Sequence, residues 1–215
     1  MTHDLDHPVT RFHEELARAK ALDPELEGEV AMSLATVSAD GVPSVRIVLL
    51  KDADARGFVF YTNRESHKGK DLDATKRAAL AFHFRATKVQ VRVEGDVERT
   101  SDEESDAYFA TRPALSQLNA WSSAQSRPLS TPDALGRAAA RAARELGIAP
   151  DGSSASRPVP RPPHWGGYRL WFDALELWTE GANRFHERIL YKRSLERADA
   201  HSFRASAWSA QRLQP

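Results

Sequence analysis

Hydrophobic positions change period along the chain, and each change marks an expected element. Val9, Phe12, Leu16 and Ala19 recur at helical spacing, which predicts an amphipathic helix over residues 8–22, ended by Asp23-Pro24. The period then shortens. Val30–Ser38 and Ser44–Lys51 are apolar or β-branched runs joined by a hairpin connection at Ala39–Pro43, and Phe58–Thr62 follows a second turn at Asp52–Gly57. Ser66–Thr75 is polar with helical character and an N-cap candidate. Ala78–Phe84 and Val89–Glu98 return to strand patterning, the latter alternating Val89, Val91 and Val93 with Gln90, Arg92 and Glu94.

Ser101-Asp102-Glu103-Glu104 is a capping-box start for a helix through about Thr111, and Pro113 restarts a helical segment ending near Ser122. Residues 132–146, with Pro132 at the first helical position and a run rich in Ala and Arg, predict another helix. Residues 149–163 hold five prolines and read as a loop. Short strands are expected at Tyr168–Trp171, Leu175–Thr179 and Arg188–Arg193, with a last one near Trp208–Leu213. Many short strands without βαβ alternation predict a mainly β fold, an antiparallel barrel with peripheral helices. Residues 1–29 form an N-terminal helix or arm on this reading. The barrel domain spans 30–215, with a helical insert at about 101–146.

Charge and composition narrow the function. Lys plus Arg and Asp plus Glu each number 30, so formal net charge is zero and there is no global attraction for duplex nucleic acid or an anionic membrane. A basic site must be local, which suits a phosphate-sized ligand. Cysteine is absent, which excludes disulfides, thiolate catalysis and Cys-based zinc sites. The N-terminus lacks signal-peptide character, and apolar runs such as Ile47–Leu50 are too short to cross a bilayer, so a cytoplasmic protein is expected. Rossmann, P-loop and nucleophile-elbow motifs are missing. His186-Glu187 begins like a zincin motif but Leu190 stands where the second His is needed, and the i, i+4 pair His3 and His7 lies at the terminus; no metal is expected.

Four polar groupings remain. Arg46-Ile47-Val48-Leu49-Leu50-Lys51 places charges at both ends of an apolar run that reads as barrel core, where they need a partner, water or a ligand. Phe60-Tyr61-Thr62-Asn63 followed by Ser66-His67-Lys68 puts hydroxyls, an imidazole and an ammonium at a helix N-terminus, either a phosphate cradle or simple capping with a solvated lysine. Tyr108, Arg112 and Ser116 recur at spacings of four, with Pro113 expected to break the helix and turn Ser116 inward; phosphate binding and an exposed helix face are both open. Gln117 and the Trp121…Gln125-Ser126 stretch follow. Trp178–Arg188, read as one strand, puts Arg184, His186 and Arg188 on one face, a receptor for a planar anion or a solvated face.

Together these groupings resemble the pyridoxamine 5'-phosphate oxidase family. The similarity runs from about Met32 to Pro215. It is carried by Arg46–Lys51, Phe60–Asn63, Tyr108–Pro113, Ser116-Gln117, Gln125-Ser126, Trp165–Arg169 and Asn183–Arg188. The resemblance implies a split β-barrel homodimer with two FMN sites at the subunit interface. It implies FMN contacts from Arg46, Ile47, Val48, Leu49, Leu50, Lys51, Tyr61, Thr62, His67, Lys68, Gln90, Gln125, Ser126, Trp178 and Arg188. Lys51, Tyr108, Arg112 and Ser116 match residues that grip the substrate phosphate, and Arg184 and His186 match those over its pyridine ring. The implied reaction passes hydride from substrate C4' to flavin N5 and then electrons to O2, giving pyridoxal 5'-phosphate and H2O2, with NH3 from the amine substrate. Many relatives carry Arg where this chain has His67, and Ser194–Ala207 looks longer and more polar than a simple hairpin. The rival readings are a related flavin oxidase of phenazine type and a non-catalytic flavin-binding protein.

Overall fold

The computed structural model describes residues 7–215 apart from 27, 150–152, 156, 200 and 201. The first helix, α1 (Pro8–Leu22), has His7 as N-cap, its ring accepting from Val9 N. Eight strands follow it in the chain with helices between: β1 (Val30–Val37), β2 (Pro43–Leu50), β3 (Asp52–Ala53), β4 (Phe58–Asn63), α2 (His67–Thr75), β5 (Arg77–Phe84), β6 (Val89–Arg99), α3 (Asp102–Thr111), α4 (Ala114–Ser122), α5 (Ala134–Leu146), β7 (Trp165–Thr179) and β8 (Glu187–Lys192). A small hairpin, β9 (Leu195–Arg197) with β10 (Phe203–Ala205), precedes β11 (Ser209–Arg212).

Every pairing in the main sheet is antiparallel. β1 pairs with β2 and β5, β5 with β6, β6 with β7, β7 with β4, and β4 with β3. Because β3 continues β2, and Lys51 N donates to Val59 O at 2.9 Å, the circuit closes on itself. This is the split barrel that the resemblance implies. β8 and β11 extend the sheet beyond it along the C-terminal half of β7.

The core explains the closure. Phe12 of α1 is fully buried, with its ring centroid 5.0 Å from that of Phe58 and 4.9 Å from that of Phe82. Val9, Phe12 and Ala19 enter the same cluster as Leu34, Val91, Leu170 and Phe172, so the apolar stripe of α1 packs into the barrel core. A second cluster, built on Phe109, Leu118, Ala143 and Trp165, seats α3–α5 against the start of β7. Among the described residues no helix is long and apolar enough to cross a membrane.

Several expectations are corrected. Tyr168–Trp171 and Leu175–Thr179 belong to the single 15-residue strand β7, whose first eight residues are buried on both faces and so show no alternation. A register shift opposite Gly95 leaves Asp173 as the extra residue, which looks like a break in the sequence. Pro132 is not at N1: the turn closed by Ala134 N to Thr131 O contains it, and α5 starts two residues later. The Arg46–Lys51 run is core on one face only, where Val48 and Leu50 pack against the barrel cluster. β2 pairs only with β1 and its side chains alternate, leaving Val45 69% and Ile47 64% exposed.

The largest correction concerns Trp178–Arg188, which is not one strand. β7 ends at Thr179, a 3-10 turn spans Ala182–Arg184, and β8 begins at Glu187. Asn183 and Arg184 have φ of 53° and 68°, left-handed values that Asn tolerates through its short polar side chain. A Cβ on Gly181 would come 1.7 Å from Phe185 O, so the turn needs glycine there. Arg184, His186 and Arg188 therefore do not share a strand face. Within Ser194–Ala207, Leu195–Arg197 and Phe203–Ala205 pair as β9 and β10, tied to the barrel by an Arg197–Glu98 ion pair. His3 and part of the proline-rich loop lie outside the described residues.

Candidate active site

A cleft of about 510 Å³ opens where β2, β4, α2, α3 and α4 meet. Its lining includes Ile47, Val48, Leu49 and Lys51 from the end of β2, Tyr61 and Thr62 from β4, and Lys68 from the first turn of α2. Tyr108, Arg112 and Ser116 border the other side, with Gln125 from the following loop. Eleven of the residues expected to bind ligand thus converge.

Local sequence sets these positions. Ser101 caps α3 by accepting from Glu104 N, and α3 stops at Thr111 because Pro113 holds Arg112 in an extended conformation, φ −74° and ψ 145°. The kink lets Tyr108 and Arg112, at the end of α3, and Ser116, in the first turn of α4, border one space. Ser66 caps α2 in the same way, presenting the helix N-terminus and Lys68 beside Thr62.

One wall is aromatic. The Tyr61 ring stacks on Tyr108 at 4.1 Å and on Trp165 at 5.4 Å. Arg112 lies over Trp165, its Cζ 4.6 Å from the ring centroid. Arg112 Nη1 is buried and has no hydrogen-bond partner among the described residues. Burial pulls its pKa down, opposed by neighbouring Tyr108. A buried donor without an acceptor costs about 1–3 kcal/mol, so this group suits an anion.

The other two cations of the cleft have protein partners. Lys68 Nζ reaches Thr62 Oγ1 and Gln125 Oε1, both at 3.3 Å, and its pKa is lowered first by burial and then by nearby Arg46. Lys51 Nζ donates to Glu29 Oε1 at 3.0 Å; burial opposes its charge, but the bond to Glu29 and the proximity of Tyr108 leave its pKa raised. Burial pushes the Tyr61 phenol up to about 12, so it stays a neutral donor. Three ammonium or guanidinium groups against a flat aromatic wall fit a planar, phosphorylated ligand.

A second cluster forms far from this cleft. Gln90 and Arg188 flank Trp178 across the β6–β7 and β7–β8 ladders. The Trp178 and His186 rings lie 4.5 Å apart, and Gly181 N donates to His186 Nδ1 at 3.3 Å. Arg188 donates to buried Glu176 at 2.7 Å and to Gln214 O at 3.0 Å. Arg184 is exposed on the turn. Tyr61 faces Gly167, and Trp178 lies eleven residues further along β7, roughly 35 Å at ~3.3 Å per residue. One chain cannot bring both clusters onto one small ligand.

Residues 19–145 match the family model for pyridoxamine 5'-phosphate oxidase, and residues 165–215 match that for the pyridoxine 5'-phosphate oxidase C-terminal dimerisation region. The chain belongs to the pyridoxamine 5'-phosphate oxidase family. It is 46% identical over 210 residues to a pyridoxine/pyridoxamine 5'-phosphate oxidase of Azorhizobium caulinodans, covering 98% of this chain and 91% of that one. A protein of the same name from Cupriavidus taiwanensis is 52% identical over 182 residues, covering 85% and 79%. Among solved structures, PhzG of Burkholderia lata in complex with tetrahydrophenazine-1-carboxylic acid superposes with a TM-score of 0.81 at 29% identity, over 99% of this chain and 95% of that one.

Family membership does not make every expected residue a wall of the cleft. Arg46 turns back to Leu34 O, Thr36 and Ser44, Leu50 packs on the barrel core, and Ser126 is exposed just past Gln125 with φ 68°. His67 is exposed and faces Asp71, with Nε2 3.6 Å from Oδ1. Glu29, Thr111 and Trp165 line the cleft without having been singled out as ligand contacts. For Trp165 a signal was present, an indole immediately before Gly166-Gly167, where the chain can pass close to Arg64 and Tyr61. Glu29 carries no such signal, since its approach to Lys51 depends on a contact between the start of β1 and the end of β2.

Proposed function

We propose that the protein is an FMN-dependent oxidase converting pyridoxamine or pyridoxine 5'-phosphate to pyridoxal 5'-phosphate, and that it works as a homodimer. The observation that carries this reading is the Arg112 guanidinium, buried against Trp165 with one nitrogen unsatisfied, in the same cleft as Lys51 and Lys68. The two relatives described above, both named for this activity, support it.

Lys68, Thr62, Gln125 and the Ile47–Leu49 segment would hold FMN, which would supply the acceptor for the substrate C4' hydride, with O2 as the final oxidant and H2O2 as its product. Arg112, Lys51, Tyr108 and Ser116 bind the substrate phosphate, which fixes the pyridine ring for hydride transfer. Tyr61 and Trp165 wall that region and exclude water from it. Arg184 and His186 lie beyond the C-terminal end of β7, too far to reach the cleft of their own chain. On this reading the second subunit supplies Arg184 and His186, which would orient the substrate ring, together with Trp178, Gln90 and Arg188, which would contact FMN. The match of residues 165–215 to a dimerisation region supports that arrangement.

Incubation with pyridoxine 5'-phosphate, FMN and O2 tests the reading. Aldehyde formation, read as aldimine absorbance with an amine, and stoichiometric H2O2 are expected; a flavin-loaded protein that turns over neither phosphate refutes it. The structural likeness to PhzG favours a second reading, oxidation of a non-phosphorylated tricyclic acid. The Lys51–Tyr108–Arg112–Ser116 cluster favours the first, since such an acid has no phosphate to match it.

A further inference from the structure

We infer that Asp71 is a positioning residue for the cofactor phosphate, acting through Thr36 on Arg46. This rests on the reading of the Lys68 corner as the FMN phosphate site. Asp71 lies on α2 and is only 4% exposed, behind that corner and outside the cleft lining. A carboxylate buried so deeply needs partners of fixed polarity. Its Oδ2 accepts from Thr36 Oγ1 at 2.7 Å, and Thr36 is 1% exposed on β1.

A threonine hydroxyl has one proton. With that proton given to Asp71, Thr36 Oγ1 is an acceptor toward its other neighbour, Arg46 Nη1, at 2.8 Å. The donor order is therefore set as Arg46 to Thr36 to Asp71. Leu34 O and Ser44 Oγ take further guanidinium N–H groups at 3.2 and 2.8 Å, and Arg46 Nη2 is 4.0 Å from the carboxylate. The guanidinium is thereby held in one orientation, near enough to Lys68 to depress its pKa. The other carboxylate oxygen faces His67 Nε2 at 3.6 Å. One buried anion thus organises the basic groups around the N-terminus of α2. Arg46 and Lys68 together outweigh it, leaving the corner net positive for a dianion.

The apoprotein titrated with FMN and with riboflavin, by flavin fluorescence quenching, isolates the phosphate. Wild type should prefer FMN strongly. Asp71→Asn and Thr36→Val should each cut that preference by about tenfold or more, while riboflavin affinity stays within about twofold. Thr36→Ser, which keeps the hydroxyl, should restore the preference. A purely structural tether between α2 and the barrel predicts equal loss of both ligands, or a lowered melting temperature with the preference intact; either result overturns the proposal. Should Asp71→Asn fail to fold, the Val and Ser variants of Thr36 give the same comparison. A wild-type protein that does not distinguish FMN from riboflavin sinks the function reading itself; a discriminating wild type with unaltered variants sinks only the role of Asp71.

Discussion

Arg112 concentrates the argument at the scale of single residues. Its guanidinium is buried, lies on an indole and keeps a donor in reserve. Arg112→Ala should raise the KM for pyridoxine 5'-phosphate by about ten- to a hundredfold, the worth of one charge-assisted phosphate contact, with FMN affinity nearly unchanged. Steady-state kinetics beside a flavin titration separates the two; equal losses in both would mean that one phosphate site, not two, occupies the cleft. Lys68 gives a pH dependence. Its pKa in the folded apoprotein lies below the ordinary 10.5, lowered by burial and by Arg46. Its attraction for phosphate is full below that lowered value and declines as pH rises through it, so FMN affinity should fall at a pH below 10.5. Lys68→Arg should carry the affinity to higher pH, as FMN dissociation constants across the alkaline range will show. Folding stability runs the other way. A cation with a lowered folded pKa is a burden below that pKa, and the burden lifts as pH rises toward the unfolded value.

At the scale of elements, local signals and tertiary ones divide cleanly. α2 and α3 were legible because Ser66 and Ser101 cap them through hydrogen bonds that reach only three residues along the chain. α1 was legible from its apolar stripe, but the stripe does not say what it covers. Phe12 meets Phe58, Phe82 and Phe84 inside the barrel, so Phe12→Ala should cost about 3–5 kcal/mol in chemical denaturation. A loss near that of a surface substitution would mean that α1 is a detachable arm. β7 was read as two strands because both its faces are buried and its bulge residue is an aspartate.

At the scale of the whole molecule, the cleft and the Trp178–His186–Arg188 cluster lie at opposite ends of β7. A homodimer in which each subunit completes the other's site makes a direct prediction. Arg112→Ala and His186→Ala chains, each impaired alone, should recover about a quarter of wild-type activity when co-assembled, because half of the dimers are mixed and each mixed dimer holds one intact site. Activity no greater than the sum of the separate variants refutes shared sites. The exposed Val45 and Ile47 on β2 offer an apolar surface for such an assembly, and scattering mass of Ile47→Glu reports whether it is used.

What the sequence determined by itself was whatever depends on neighbours in the chain. The caps, the proline kink after Arg112, the hairpin before β2 and the alternation of β6 all follow from interactions within a few residues. The kinds of chemistry on offer were also legible, because Lys, Arg, Tyr and Ser at the ends of regular elements are identifiable from residue type and spacing. Only the tertiary structure decided which of them meet. Arg184, His186 and Arg188 seemed to share a strand face, but the turn from Gly181 to Arg184 leaves only Arg188 in a strand. That Thr36 and Asp71, distant in sequence, would orient Arg46 was not legible from any local pattern. Burial, which lowers the Lys68 and Arg112 pKa values, arises where separate elements close over one another, and no local pattern records that closure.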